Sequence, residues 1–235
     1  RFHFLPLNED CTMQALALSK DTLEILKNMS AINNSLKFEE GSVLKTVSPA
    51  GSVIMEATVA ETFPITFSIY ELNKFLNVLN LPTMKDAELM FEDDKKVVIK
   101  AGKTKINYFF ANEGFVQHPG KTVVLPTVDL DVIVTEQDLD GFTRAAAALG
   151  HKILEFRAEG GNAFLVASTP EMDTSNDYVV ELCDTEAEDG SYRIKAENFR
   201  VLNGDYHIQV CAKGIMRVQH QTRPIACFFG LERTA

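Results

Sequence analysis

The feature of this chain that most constrains its fold is a set of helix and strand signals that occurs twice. Ser19 and Thr135 are typical helix N-caps 116 positions apart, and each precedes an amphipathic segment followed by several short β-strand patterns. A second helix is predicted in each half, one opening at the capping box Ser68–Glu71 and the other spanning 196–203. The order predicts an α+β protein of two similar domains, each with two helices packed on antiparallel sheet.

The two halves meet at a stretch that suits neither a helix nor a strand. Between residues 112 and 120, glycine and proline interrupt both periodicities. We therefore expect an N-terminal extension at 1–12, a first domain at 13–112, a connector at 113–126 and a second domain at 127–235. No apolar run approaches the roughly 18 residues that span a bilayer. Because the amino end is too short and too broken for a secretory signal, a cytoplasmic location is the expectation.

The charge pattern excludes one way of binding nucleic acid and leaves another open. The 235 residues carry 23 basic and 33 acidic side chains, a net charge of −10, which argues against binding through bulk positive charge. Each predicted helix nevertheless carries at least one cation on or beside it, away from its apolar stripe. These cations are Lys20, Lys27, Lys74, Arg144, Lys152, Lys195 and Arg200. They are either ordinary solvated side chains or parts of one basic surface that contacts phosphates.

Motifs for catalysis and for cofactor binding are weak in this sequence. The Gly-Lys-Thr sequences at 102–104 and 120–122 lack the earlier glycine of a phosphate-binding loop at the required spacing. The five histidines have no metal-ligand spacing, and no G-x-S-x-G sequence frames a serine. We therefore predict no catalytic residue, metal or cofactor, and an enzyme is the weaker class. A hydrolase with a dispersed active site is the remaining enzymatic alternative.

Several segments of the first half resemble one protein family. The resemblance rests on Leu18–Thr22, Leu26–Asn28, Ser68–Asn73 and the pair Phe75 and Leu76. These segments are similar to the DNA polymerase sliding clamps of T-even-type bacteriophages. The match covers roughly residues 16–112 and continues to 235 in organisation more than in identity. It implies two processivity-clamp domains per chain, closed head to tail into a homotrimeric ring whose helices face a central hole for duplex DNA.

The resemblance also implies a function and a set of partners. A sliding clamp encircles duplex DNA and tethers the replicative polymerase, here in the cytoplasm of an infected bacterial host, and an external clamp loader ATPase opens the ring. The seven helix cations above would then be sequence-independent phosphate contacts. The subunits would join by strand pairing, for which Lys105–Phe110 and Tyr178–Leu182 are candidate edges. The alternative is a non-enzymatic, β-rich protein-interaction module that does not encircle DNA.

A pocket for the C-terminal peptide of the polymerase is also implied by the family. We expect it beside the connector and the last strand. The candidate residues are Phe115, Val116, Phe228, Phe229 and Leu231. Ordinary core packing explains each of these apolar residues equally well, so both interpretations stay open.

Overall fold

A computed structural model describes residues 14–169 and 176–232, so the predicted extension at 1–12 lies outside the described residues. The first half contains two α-helices and eight strands. In chain order these are β1 (Gln14–Ala17), α1 (Lys20–Ile32), β2 (Leu36–Phe38), β3 (Gly41–Val47), β4 (Val53–Phe63), β5 (Phe67–Ile69), α2 (Leu72–Leu79), β6 (Glu88–Phe91), β7 (Lys96–Ala101) and β8 (Thr104–Phe109).

The second half repeats this order with one α-helix fewer. Its elements are β9 (Leu130–Val134), α3 (Glu136–Leu149), β10 (Ile153–Glu159), β11 (Asn162–Ser168), β12 (Tyr178–Asp184), β13 (Gly190–Lys195), β14 (Tyr206–Cys211), β15 (Ile215–His220) and β16 (Ile225–Gly230). The α+β fold class predicted from the sequence is confirmed. No helix in the described ranges is long and apolar enough to cross a membrane.

The first and third predicted helices begin where the sequence indicated. The side chain of Ser19 accepts a hydrogen bond from Thr22 N, and Thr135 makes the same contact with Asp138 N. The carboxylate of Glu61 on β4 adds a second cap to α1, accepting hydrogen bonds from Ser19 N and Thr22 Oγ1. Helix α1 is thus fixed at its start by a buried acid that is 39 residues away from Thr22 in sequence.

The other two helix predictions need correction. Ser68 does not cap a helix, because Phe67–Ile69 is a strand paired with β2 and α2 begins only at Leu72. The predicted helix at 196–203 is a single 3-10 turn, Ala196–Asn198, in which Phe199 N donates to Ala196 O. Asn and Val have low helix propensity, and eight residues are too few to form a stable α-helix without strong packing.

The strands form three antiparallel sheets that reveal the internal repeat. Two four-stranded sheets have the orders β1-β6-β7-β8 and β12-β11-β10-β13, and the eight-stranded sheet has the order β5-β2-β3-β4-β16-β15-β14-β9. In the repeat, β1-β6-β7-β8 corresponds to β9-β14-β15-β16, and β5-β2-β3-β4 corresponds to β13-β10-β11-β12. The two halves are therefore joined where β4 pairs with β16, with Met55 opposite Cys227.

The eight-stranded sheet has one apolar and one mainly polar face. Alternate residues such as Met55, Cys227 and Val218 belong to the buried core, which also contains Leu26 of α1 and Phe142 of α3. Because side chains alternate along a strand, the intervening residues lie on the opposite side of the sheet. We call the opposite side the outer face, and the connector runs along it.

Candidate nucleic-acid interface and partner groove

Helix α1 exposes a stripe of residues opposite its core side. Lys20, Glu24, Lys27 and Ala31 follow one another at intervals of three or four residues and are all exposed. Ile25, Leu26 and Met29 lie on the buried side and pack in the core. The hydrophobic pattern of the helix thus places both predicted lysines in solvent, on the side away from the sheet.

The two acids of α1, Asp21 and Glu24, share an arginine from the other half of the chain. Arg223, in the turn between β15 and β16, makes salt bridges with Asp21 and Glu24. Neither Lys20 nor Lys27 has a salt-bridge partner among the residues of the described ranges. The uncompensated charge on α1 is therefore positive.

Two of the predicted phosphate contacts are already paired with acids three or four residues away in sequence. Lys74 Nζ lies 2.8 Å from Glu71 Oε1, and Arg144 Nε lies 2.7 Å from Asp140 Oδ1. The hydrogen bond and the charge of Glu71 raise the pKa of the Lys74 ammonium. These two cations carry less net positive charge to a ligand than the unpaired ones.

The remaining predicted cations lie in the second half, around the end of α3. Lys152 directly precedes β10, and Lys195 is the last residue of the neighbouring strand β13. Ile153 is paired with Lys195, and Ala196 N donates to Lys152 O, so the two lysines lie close together. Both ammonium groups are exposed and line one cleft. Arg200 is also exposed, and its Nε donates to Glu197 O.

The helices of the two halves share one surface of the molecule. A cleft is lined by Asn28 and Ala31 of α1 and by Asp140 and Thr143 of α3, and Arg200 lies in the same cleft. We call the exposed sides of α1, α2 and α3 the helix face. Five of the seven predicted cations on or beside this face have no carboxylate partner among the described residues: Lys20, Lys27, Lys152, Lys195 and Arg200.

A groove lies on the outer face, on the side of the sheet opposite the core. Its floor includes Phe228, Ala226 and Arg217 of the eight-stranded sheet, and its wall is the connector segment Thr122–Leu125. Arg217 is directly opposite Phe228 in the sheet register. The groove thus combines apolar side chains of the connector and the sheet with polar ones, including the acid Glu56 and the cation Arg217.

The five residues predicted to form a peptide pocket do not lie together in the structure. Of the five predicted residues, only Phe228 lines the groove. Phe229 is 1% exposed and packs in the core, because successive residues of a strand point to opposite faces. Val116 is buried, Phe115 is 74% exposed on a 3-10 turn, and neither lines the groove.

Leu231, the fifth predicted pocket residue, also lies elsewhere. It lines a separate cleft with Tyr192 and Glu232. No group of three or more His, Cys, Asp or Glu side chains suited to a metal ion occurs within the described part of the chain.

Comparison with known proteins decides the family. A family model described as DNA polymerase processivity factor matches residues 19–113. The sliding clamp of Vibrio phage KVP40 is 31% identical over 209 residues, covering 86% of this chain and 93% of the relative. The chain belongs to the sliding clamp family. The clamp is also 26% identical to the sliding clamp of Enterobacteria phage T4 over 203 residues, covering 85% of this chain and 89% of the relative.

Solved structures share the fold of this clamp at low sequence identity. A. fulgidus PCNA, solved with the C-terminal region of FEN-1, has a TM-score of 0.70 at 12% identity and covers 95% of this chain and 100% of its own. The DNA polymerase III subunit beta of Borrelia burgdorferi has a TM-score of 0.70 at 13% identity and covers 99% of this chain and 68% of its own. The resemblance stated from sequence is confirmed, and the clamp is a DNA polymerase processivity factor.

Two residues of the clamp were missed by sequence reasoning. Arg223 and Arg217 lie in or near short turns and strands of the second half, where no helix pattern drew attention to them. The acids that pair with Arg223 are about 200 residues away in sequence, and Arg217 lies in the groove only because the connector folds over its strand, so no local spacing indicates either position. The available signal was that arginines are scarce in an acidic chain.

Proposed function

We propose that three copies of this chain close head to tail into a ring around duplex DNA and hold the replicative polymerase on its template. The ring acts by topology and not by catalysis, so the chain itself performs no reaction. Residues 13–112 and 127–235 are the two domains of each subunit, and 113–126 connects them. The observation that supports this proposal concerns four strands. Strands β4 and β16 pair with each other inside the chain, whereas their counterparts in the repeat, β12 and β8, are edge strands.

The repeat identifies the strands that would join two subunits. In the repeat, β8 corresponds to β16 and β12 corresponds to β4. Strands β4 and β16 pair with each other, whereas β8 and β12 each end a four-stranded sheet. A β8 edge of one copy therefore suits the β12 edge of the next, and this contact is heterologous, as a ring requires.

The repeat also gives the register of this seam. Following the strand registers, Ile106 corresponds to Cys227 and Tyr178 corresponds to Met55. Cys227 and Met55 are opposite each other in the internal junction. We therefore place Ile106 of one subunit opposite Tyr178 of the next. In the same register, Lys105 lies opposite Val179.

The side chains of the two edges are complementary in this register. Phe109 is 69% exposed and Val179 is 54% exposed, which leaves an apolar side chain on each free edge. Lys105 on β8 is exposed, and so is Glu181 on β12. Opposite Val179, the lysine is diagonal to Glu181, within reach of a long side chain. The opposite charges of Lys105 and Glu181 thus favour this register, and the exposed apolar side chains mark both edges as unpaired.

The helix face then lines the hole of the ring. The five unpaired cations on or beside it contact phosphates without reading bases, and the paired Lys74 and Arg144 contribute less. Weak contacts suit a ring that slides, because topology alone keeps the ring on DNA. The net charge of −10 keeps the rest of the surface from binding DNA.

The groove on the outer face is the proposed site for the polymerase. An apolar peptide at the C-terminus of the polymerase would lie between Phe228 and the connector segment Thr122–Leu125. Because the groove and the helix face lie on opposite sides of the sheet, a polymerase can bind while DNA occupies the hole. A clamp loader ATPase would supply the nucleotide hydrolysis for which this chain has no motif.

The assembly is tested by measuring its mass with light scattering. A trimer has a mass of about 78 kDa, three times 26.1 kDa. The Lys105→Glu variant should weaken the assembly, and adding Glu181→Lys should restore it, because the second change recreates an opposite-charge pair in the seam. A strict 26 kDa monomer at micromolar concentration would favour the alternative, a protein-interaction module that does not encircle DNA.

A further inference from the structure

One arginine in the groove lacks the carboxylate that similar arginines have. Among the described residues, four arginines are half-buried. Arg157 and Arg193 share Glu155, and Arg223 binds Asp21 and Glu24. Arg217 makes no salt bridge with any residue of the described ranges. The acid in the groove lining, Glu56, makes its salt bridge with Lys45, so the charge of Arg217 is left without a counterion at the groove floor.

Neutral side chains hold the Arg217 guanidinium in place. Its Nη2 donates to Gln219 Oε1 at 2.7 Å, and its Nη1 is 3.5 Å from Gln209 Oε1. The next acid along the same cross-strand row, Asp131, accepts a hydrogen bond from Gln209 Nε2. Arg217 and Asp131 are two strands apart, about 10 Å at the usual strand spacing. The amides orient the guanidinium without neutralising its charge.

The free donors of Arg217 remain accessible. Arginine has five N–H groups in a planar fork that suits a carboxylate, and at most two of them are used here. No nitrogen of Arg217 is both sealed from solvent and without a partner. On one side the guanidinium is flanked by Phe228, so an apolar group and an anion could be bound at adjacent positions.

We propose that the groove binds an apolar peptide that carries a carboxylate, and that Arg217 pairs with this carboxylate as the specificity-determining residue. The inference rests on the proposed function, since it assumes that the groove is the partner site, and it specifies the chemistry of the partner. The carboxylate belongs to an Asp or Glu side chain or to the free C-terminus of the peptide. A bidentate, charge-assisted pair of hydrogen bonds between the guanidinium and this carboxylate increases the affinity and fixes the orientation of the peptide.

The test uses full-length protein and a synthetic peptide array. The peptides are heptamers of Leu, Ile, Phe and Met with one Asp placed at each position, and every peptide is also made with Asn in place of Asp. Each version is made with a free and an amidated C-terminus, which separates the two sources of the carboxylate. Spots that bind the labelled protein are resynthesised, and their dissociation constants are measured by fluorescence anisotropy.

We expect peptides with a carboxylate to bind at least about tenfold more tightly than their amide twins, as charge-assisted hydrogen bonds imply. Arg217→Gln should abolish this preference, and Arg217→Lys should keep part of it. The matched control Lys85→Gln makes the same charge change at an exposed position between α2 and β6 and should leave the preference intact. A melting temperature for each variant shows that it is folded.

Three results would overturn the inference, and they differ in whether the groove is also rejected as the partner site. A preference for carboxylate that persists in Arg217→Gln rejects Arg217 alone. Binding that ignores the carboxylate but is lost in Phe228→Ala rejects acid recognition while supporting the groove. If no peptide binds, or if Phe228→Ala leaves binding unchanged, the groove itself is rejected as the partner site together with the role of Arg217.

Discussion

The Nη2 atom of Arg223 lies 3.2 Å from the Glu24 Oε2 atom, which joins the second half of the chain to the first helix. The same guanidinium contacts Asp21 on the preceding turn of α1. This arginine links the two halves beside their shared sheet and offsets one of the two negative charges of Asp21 and Glu24. A residue in a short turn thereby makes the proposed DNA surface more positive.

Arg223→Gln is expected to weaken DNA binding by exposing the charges of Asp21 and Glu24. Two unit charges about 10 Å apart in water interact by roughly 0.4 kcal/mol at low salt, so affinity should fall roughly two- to fourfold. Fluorescence anisotropy with a short linear duplex, which can thread a ring without a loader, measures this change. Adding Glu24→Gln should restore the affinity, because it removes one negative charge for the one positive charge lost. Failure of this restoration would contradict the charge-cancelling role.

The unpaired lysines of α1 should matter more than cations elsewhere on the chain. Lys20→Glu with Lys27→Glu is expected to reduce the slope of log affinity against log salt by about 2, since each phosphate contact contributes about 0.9. The control is Lys95→Glu with Lys100→Glu, which makes the same total charge change on exposed residues of the β6–β7 hairpin region. Equal losses in the two double variants would indicate a general charge effect and no specific lining.

Glu61 is expected to make the stability of the first half depend on pH. Burial opposes ionisation of this carboxyl, but hydrogen bonds from Thr22 and Ser19 outweigh it and lower the pKa below the usual 4.5. A lowered pKa in the folded state stabilises the protein above the unfolded value, and this contribution is lost as pH falls through the folded pKa.

The Glu61→Gln variant tests this dependence. Urea unfolding at pH 7 should show a loss of roughly 1–3 kcal/mol, the cost of weakening a buried, charge-assisted cap. The deficit relative to the unmodified protein should shrink as the pH is lowered from 5 towards 3. A deficit of constant size across this range would mean that the ionised carboxylate is not the stabilising species.

Local patterns in the sequence predicted much of the fold but little of the groove. Ser19, Thr135 and the left-handed Gly150 mark helix ends through contacts with nearby residues, so their roles could be read directly. The helix at Ser68 failed because pairing with β2 overrides the local capping signal. Phe228 faces the groove and Phe229 faces the core. The sequence does not indicate which residue faces which way, because this strand is apolar on both sides.

The central claim is that β8 of one subunit pairs with β12 of the next in the register of the internal repeat. The direct measurement is oxidative cross-linking of Lys105→Cys combined with Val179→Cys, in a Cys183→Ser background that removes the nearby exposed thiol. Phe109→Cys with Val179→Cys in the same background is the out-of-register control. We predict that the first pair gives covalent dimers and trimers on a denaturing gel and that the control gives few. A first pair that stays monomeric under oxidation, or that cross-links no better than the control, would contradict the account.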